Sequence, residues 1–252
     1  MNTLLVDIGN TRVKWAVLRG RKLGAGKALA HDGDPAAVAK LLAKAPRDVS
    51  RVLVVSVAGK RMDDALRRAA QARDLRVEFV QSTRHAGHVT NGYKEVWRLG
   101  ADRWVGAVGA HALARGQDVL FAMVGTALTI DLVEASGRHR GGAIVPGPAT
   151  MVESLLSGTK GIRQRAQGLR ASSRSLFAAD TASALAAGSQ VAAAAFIDRA
   201  VDEAAKLLKA RPVLLVSGGG AADLLRHLRT PYRALPDLVL RGLAELARIP
   251  SL

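Results

Sequence analysis

The chain opens on an apolar run, Leu4, Leu5 and Val6, that stops at Asp7 and a Gly9-Asn10-Thr11 turn. Apolar, β-prone residues halted by a glycine-containing turn predict a buried strand. Val13, Trp15 and Val17 then alternate with Lys14 and Ala16, the period-2 mark of a strand with one face covered. Gly9 and Asn10 suit a tight hairpin turn between the two. A third strand is expected over residues 22–30. Asp34 and Pro35 open a helix that runs to about Lys44, with Asp at the cap and Pro at the first helical position. Residues 51–57 (RVLVVSV) read as a buried strand, 62–73 as an amphipathic helix and 77–80 as another short strand. This order mixes hairpins with crossover helices, so it predicts a mixed α/β sheet.

A less regular stretch, 81–98, leads into Leu99-Gly100-Ala101-Asp102-Arg103-Trp104, followed by a helix over 107–115. The pattern then starts again. Residues 120–133 (LFAMVGTALTIDLV) repeat the order of residues 4–17 (LLVDIGNTRVKWAV): apolar strand, glycine turn, alternating strand. A turn at 137–140 precedes a third strand over 142–145. Residues 213–220 (VLLVSGGG) with a helix over 221–229 match residues 52–59 (VLVVSVAG) with theirs. Repetition in matching order argues for internal duplication. It predicts two similar lobes, 1–117 and 118–252, facing each other across a nucleotide cleft. The second half adds a helix over 150–157, a basic loop around 160–170 and a long Ala-rich helix over 181–209. Asp180 or Thr181 would cap that last helix.

Composition narrows the class. The 252 residues suffice for one large domain or two small ones, and no window reaches the roughly 18 unbroken apolar residues of a membrane span. The chain enters its first strand with no basic segment and apolar stretch before it, so no signal peptide is expected. There is no cysteine, which excludes thiolate catalysis and Cys-ligated zinc and fits a cytoplasmic protein. The net charge of +16 raises nucleic acid as a partner. The basic residues, however, fall in separate groups over 19–27, 60–76 and 163–174, and aromatics are only 4%, poor for base stacking. A basic surface attracting small anionic molecules is the better reading.

The candidate chemistry sits at the turns. Backbone N–H groups and hydroxyls at Gly9, Asn10 and Thr11 can hold phosphate, and Asp7 can hold Mg²⁺ through water. An ordinary hairpin in which Asp7 caps its own turn accounts for the same residues. Gly218–Gly220 allow close backbone approach to a ligand, or merely a tight turn. Asp102 and Arg103 are an acid–base pair, or an acid favoured in the first turn of a helix. His85 and His88, without acidic neighbours, read as loop histidines rather than metal ligands.

Taken together, Asp7-Ile8-Gly9-Asn10-Thr11 through Lys14, Gly100–Trp104, Gly125-Thr126-Ala127 with Asp131, Gly141-Gly142 through Pro146-Gly147, residues 181–188 (TASALAAG) and Ser217–Gly220 resemble the type III pantothenate kinases. These belong to the acetate and sugar kinase/actin-like ATPase superfamily, with ribonuclease H-like lobes. The resemblance spans nearly the whole chain, and the GADR phrase is its most specific part. It implies ATP-dependent phosphorylation of pantothenate to 4′-phosphopantothenate, the first step of coenzyme A biosynthesis. Asp7, Gly9, Asn10, Thr11, Lys14, Gly125 and Thr126 would hold ATP phosphates, with Asp7 on Mg²⁺ through water. Asp102 would be the general base, and Tyr93, Gly100, Ala101, Asp102, Arg103 and Thr181 would line the pantothenate pocket. A homodimer is implied, with the apolar face of the helix over 181–209 as its interface. The chain departs from the family at Met123, where an Asp is associated with a potassium or ammonium ion, and at Val96, where a proline is usual. The resemblance still implies such a monovalent cation, but a thioether is a poor ligand for a hard cation: either backbone oxygens and other side chains hold the ion, or its requirement is relaxed, or the site is dead. That loss, with the basic charge, defines the alternative of a non-catalytic homologue acting as an accessory or regulatory factor.

Overall fold

In the computed structural model, which describes residues 2–171 and 175–249, the opening apolar run is strand β1 (Asn2–Ile8), with Leu4, Leu5, Val6 and Ile8 shut off from solvent. It pairs antiparallel with β2 (Arg12–Arg19) across the expected turn. The third strand is two pieces, β3 (Lys22–Leu23) and β4 (Lys27–Ala30), both on β2; Gly24 and Gly26 interrupt it because glycine packs nothing onto a sheet. Helix α1 (Ala36–Ala43) begins where Asp34 Oδ1 accepts from the Ala36 N–H at 2.9 Å. Strand β5 (Val49–Ser56), helix α2 (Lys60–Gln71) and strand β6 (Arg76–Phe79) follow, with β5 parallel to both β1 and β6. The irregular stretch carries a small hairpin, β7 (His85–Ala86) and β8 (Val89–Thr90), and one 3₁₀ turn at Val96–Arg98 before α3 (Ala101–Ala114).

The second series comprises β9 (Val119–Val124), β10 (Ala127–Val133), β11 (His139–Pro146), α4 (Pro148–Gly158), α5 (Lys160–Ala166), α6 (Thr181–Leu208), β12 (Val213–Ser217), α7 (Ala221–Leu225), β13 (Arg233–Ala234) and α8 (Leu238–Leu246). The first sheet runs β3-β2-β1-β5-β6 and the second β11-β10-β9-β12-β13. Both therefore place their third, second, first, fourth and fifth strands in the same order, which is the predicted duplication. The copies have drifted in detail: two residues separate β9 from β10, against three between β1 and β2. Asp7 lies opposite Val55 whereas Met123 lies opposite Ser217, so the sequence match of 52–59 with 213–220 is one residue out of register.

The basic loop expected around 160–170 is a correction. Its first seven residues are α5, because Lys160, Gln164, Ala166 and the arginines are good helix formers and the Arg163 N–H reaches Thr159 O at 3.2 Å. Arg174, at the end of one basic group, lies outside the described residues. Among the described residues no helix is long and apolar enough to cross a membrane.

The chain packs as two units. One takes in residues up to Gln117, Val133–Gly141 and residues from Asp237 on; the other is Asp118–Leu132 with Gly142–Pro236. Each has its own buried cluster, around Leu4, Leu41 and Leu66 in the first and Leu120, Ile197 and Leu214 in the second. The C-terminal helix α8 joins the first unit by lying on α3 at a backbone-to-backbone contact. A Cβ on Gly242 would stand 2.0 Å from the Val105 carbonyl oxygen, and one on Gly109 would stand 2.8 Å from the Gly242 nitrogen. Gly242→Ala must therefore push the two helices apart, at a cost of about 3 kcal/mol. Thermal unfolding should show Tm lower by roughly 6–12 °C, while Gly188→Ala, which meets nothing within 4 Å, leaves it unchanged or higher.

Candidate active site

In the first unit the β1–β2 register sets Asp7 opposite Lys14, and residues directly opposite on antiparallel strands share a face. The Lys14 ammonium also lies 3.9 Å from Asp237 Oδ1. Asp237 occupies the N-cap position of α8 with a left-handed backbone, φ 58°. Burial pushes the Asp7 carboxyl up to about 7; Lys14 opposes this, and the Asp102 and Asp237 carboxylates add to it. Three acids thus crowd one lysine. Like charges placed so favour a proton or a further cation at Asp7.

Asp102 stands in the first turn of α3, after Gly100 at its N-cap position and Ala101 as its first residue. Its Oδ1 accepts from the Arg103 N–H at 2.8 Å. A Cβ on Gly100 would come within 2.7 Å of that oxygen, so a bare backbone there is what admits the carboxylate. The bond to the Arg103 N–H ties the carboxylate into the first turn of the helix, where an acid is favoured. Arg103 is buried, donates from Nη1 to Tyr93 Oη at 3.0 Å and sits 5.7 Å from the Tyr93 ring centre. The Tyr93 ring also stacks on His139, with centroids 6.0 Å apart and planes at 21°. The stretch that reads as irregular is in fact pinned. Asn91 Oδ1 accepts from the Tyr93 N–H at 2.9 Å, and the Arg84 guanidinium donates to the carbonyls of Asn91, Tyr93 and Lys94. His85 faces Thr90 Oγ1 at 3.2 Å, and among the described residues no three His, Cys, Asp or Glu side chains could hold a metal together.

In the second unit, Gly125 and Thr126 form the exposed β9–β10 turn, closed by the Gly125 N–H on Ala127 O at 2.9 Å. The Thr126 carbonyl accepts from the Gly147 N–H at 2.8 Å and from Thr150 Oγ1 at 2.6 Å, so the start of α4 braces the turn. Met123 is the half-buried penultimate residue of β9, as Asp7 is of β1. Gly218, at φ +107°, folds the chain against the Val124 backbone; packing alone explains that glycine. The cap of α6 is Asp180, whose Oδ1 accepts from the Ser183 N–H at 2.8 Å; that bond holds its carboxyl below the ordinary value. Thr181 is thus the first helical residue, and it lines a cavity of about 700 Å³ with Met151, Leu155, Ile162 and Leu185.

Asp237 and His139 reach these residues without having been expected to. A proline–aspartate pair ahead of the apolar-periodic LVLRGLAEL signals a helix start, so α8 was there to be read. No sequence signal brings its cap to Lys14, or His139 to Tyr93.

The duplicated sheets with their repeated strand order define an actin-like ATPase and sugar kinase fold. A putative 2-dehydro-3-deoxygalactonokinase from Sinorhizobium meliloti superposes with TM-score 0.59 at 17% identity, over 98% of this chain and 96% of that one. The ethanolamine utilization protein EutJ from Carboxydothermus hydrogenoformans does so with TM-score 0.57 at 14% identity, over 98% and 90%. Residues 3–203 match the family model described as type III pantothenate kinase. Proteins of that name from Nitrosococcus oceani and Burkholderia thailandensis are 37% and 39% identical, covering 98% and 97% of this chain and 94% and 97% of their own. The chain belongs to the type III pantothenate kinase family, and it is a kinase.

Proposed function

We propose that the protein transfers the γ-phosphoryl group of ATP to the hydroxyl of pantothenate, giving 4′-phosphopantothenate for coenzyme A synthesis, with Asp102 as general base. The observation that carries this reading is the meeting of Asp7, Lys14 and Asp102 within one unit of a chain of this family. Phosphoryl transfer asks a protein mainly to position its reactants and balance charge, with one base for the acceptor proton.

Gly9, Asn10 and Thr11 offer backbone N–H groups and a hydroxyl to the ATP phosphates, and Lys14 exchanges Asp237 for phosphate oxygen. Gly125 and Thr126 offer the same kind of donors from the second unit. Asp102 accepts the hydroxyl proton as the acceptor oxygen bonds to phosphorus and the bond to the ADP oxygen breaks. Arg103, Tyr93, Gly100, Ala101 and Thr181 recognise pantothenate, with the guanidinium forking onto its carboxylate. The residues fit Mg²⁺: a single carboxylate whose ionisation is disfavoured by burial and like charge suits an ion that keeps most of its water. Bound with ATP, Mg²⁺ would neutralise charge on the phosphates, held by Asp7 through water. They do not fit a potassium or ammonium site at Met123. A cytoplasmic homodimer completes the reading. The apolar face of α6 expected as its interface is a correction over 193–204, because Ala193, Ala194, Ile197, Val201 and Ala204 pack into the second unit's own core; the apolar cavity beside Thr181, lined by Leu185 and half-exposed Leu155, is the surface that supports such an interface. No structural observation favours the accessory-factor alternative.

The test is pantothenate-dependent ADP release by purified protein with Mg-ATP in sodium, potassium and ammonium salts. Turnover is expected in all three, with potassium or ammonium raising it less than about twofold, since a thioether adds nothing for a hard cation. Folded protein that releases no ADP under any salt would overturn the kinase reading.

A further inference from the structure

We infer that His31 is a positioning residue that holds the Gly9–Thr11 turn in shape for phosphate. The inference rests on the reading of that turn as a phosphate site. His31 is buried, 4% exposed, immediately after β4. The β2–β4 register pairs Arg12 with Ala30, so the next residue along, His31, falls beside Thr11, and the His31 N–H donates to Thr11 O at 3.0 Å. Its ring then reaches the other side of the same turn, with Nε2 at 2.7 Å from Gly9 O.

The ring's second nitrogen settles the proton. The Gly33 N–H points at Nδ1 at 3.0 Å, which makes Nδ1 the acceptor and leaves the hydrogen on Nε2 to be donated to Gly9 O. The supporting turn is itself bent to make this possible, with Asp32 at φ 45° and Gly33 at φ 81° and the Asp34 N–H closing onto His31 O at 2.6 Å. Gly9 is the residue whose N–H meets Arg12 O at 3.0 Å to close the β1–β2 turn. His31 thus clamps the turn at both ends, Gly9 through its ring and Thr11 through its backbone, and leaves Asn10 and the exposed hydroxyl of Thr11 outward. Both ring nitrogens are taken up within the turn and its support, so the role of His31 is to limit where the turn's donors point, not to touch the reacting atoms. A part-buried carbonyl that loses its donor also loses the energy that fixed the loop.

The experiment uses the full chain as wild type, His31→Ala and His31→Gln. Gln places an amide N–H where Nε2 stands and can still donate to Gly9 O. Two readouts are taken: amide hydrogen exchange over residues 9–13 without ligand, and KM for Mg-ATP against KM for pantothenate and kcat. His31→Ala should speed exchange in that segment about tenfold while α3 and β5 keep their protection, and raise KM for Mg-ATP about tenfold with KM for pantothenate unchanged. His31→Gln should recover most of both. Exchange over 9–13 in His31→Ala equal to wild type, or lost equally throughout the first unit, overturns the inference. Wild type without turnover would sink the kinase reading instead, and the exchange comparison would still decide the role of His31.

Discussion

Asp102→Asn lowers kcat on the order of a hundredfold or more while the protein stays folded and KM values change little. The size is the ordinary worth of a positioned base, and the selectivity follows from the geometry. Asn can keep the Oδ1 acceptor that meets the Arg103 N–H at 2.8 Å, and it is no larger than Asp beside the bare backbone of Gly100. The substitution therefore removes the proton acceptor and the charge without removing the helix-start bond. Loss confined to kcat marks an interaction made in the transition state. Steady-state kinetics with pantothenate varied would show it. A raised KM for pantothenate at unchanged kcat would instead make Asp102 a binding residue and leave the base to be found elsewhere.

Much of the candidate site was legible because its proposed residues lie in short, locally coded stretches. Strand β1 with its acid and turn, and α3 with Asp102 two residues past a glycine, are each written within about a dozen positions. The fold was legible for a different reason. The same strand–turn–strand code occurs twice, and two weak signals in matching order are stronger than one. What escaped was placed by tertiary contact. Asp237 comes to Lys14 because Gly109 and Gly242 let α8 lie close on α3, and no window of sequence contains both partners. His31 reaches Gly9 through a sheet register set by β4, a strand that the chain breaks at two glycines. The stretch over 160–170 misled for a simpler reason, since a basic segment reads as solvated loop while its arginines, lysine and glutamine are also good helix formers.

The acid limb of kcat/KM for Mg-ATP should have its midpoint near pH 7, set by Asp7. Its carboxyl is raised from 3.8 to about 7, first by burial, and a group that must be ionised to hold Mg²⁺ loses about tenfold per pH unit below its midpoint. At pH 5 about one hundredth of the plateau should remain. Asp237→Asn removes one of the like charges that raise Asp7, so its limb should move to lower pH. The same shift has a consequence for stability. A carboxyl whose folded value exceeds its unfolded one binds its proton more tightly in the folded state, so this contribution is fully present below about pH 3.8 and is lost as pH rises through about 7. At pH 8 the ionised, half-buried Asp7 therefore weighs against the fold, and Mg²⁺ that relieves it should raise Tm. At pH 5 the proton already occupies the site, and the same Mg²⁺ should raise Tm much less. Asp7→Asn should melt alike at both pH values in this respect and ignore the metal. A Mg²⁺ shift equal at pH 5 and pH 8 in the wild type, or kept in Asp7→Asn, would move the metal away from Asp7 and leave the raised carboxyl as a feature of packing alone.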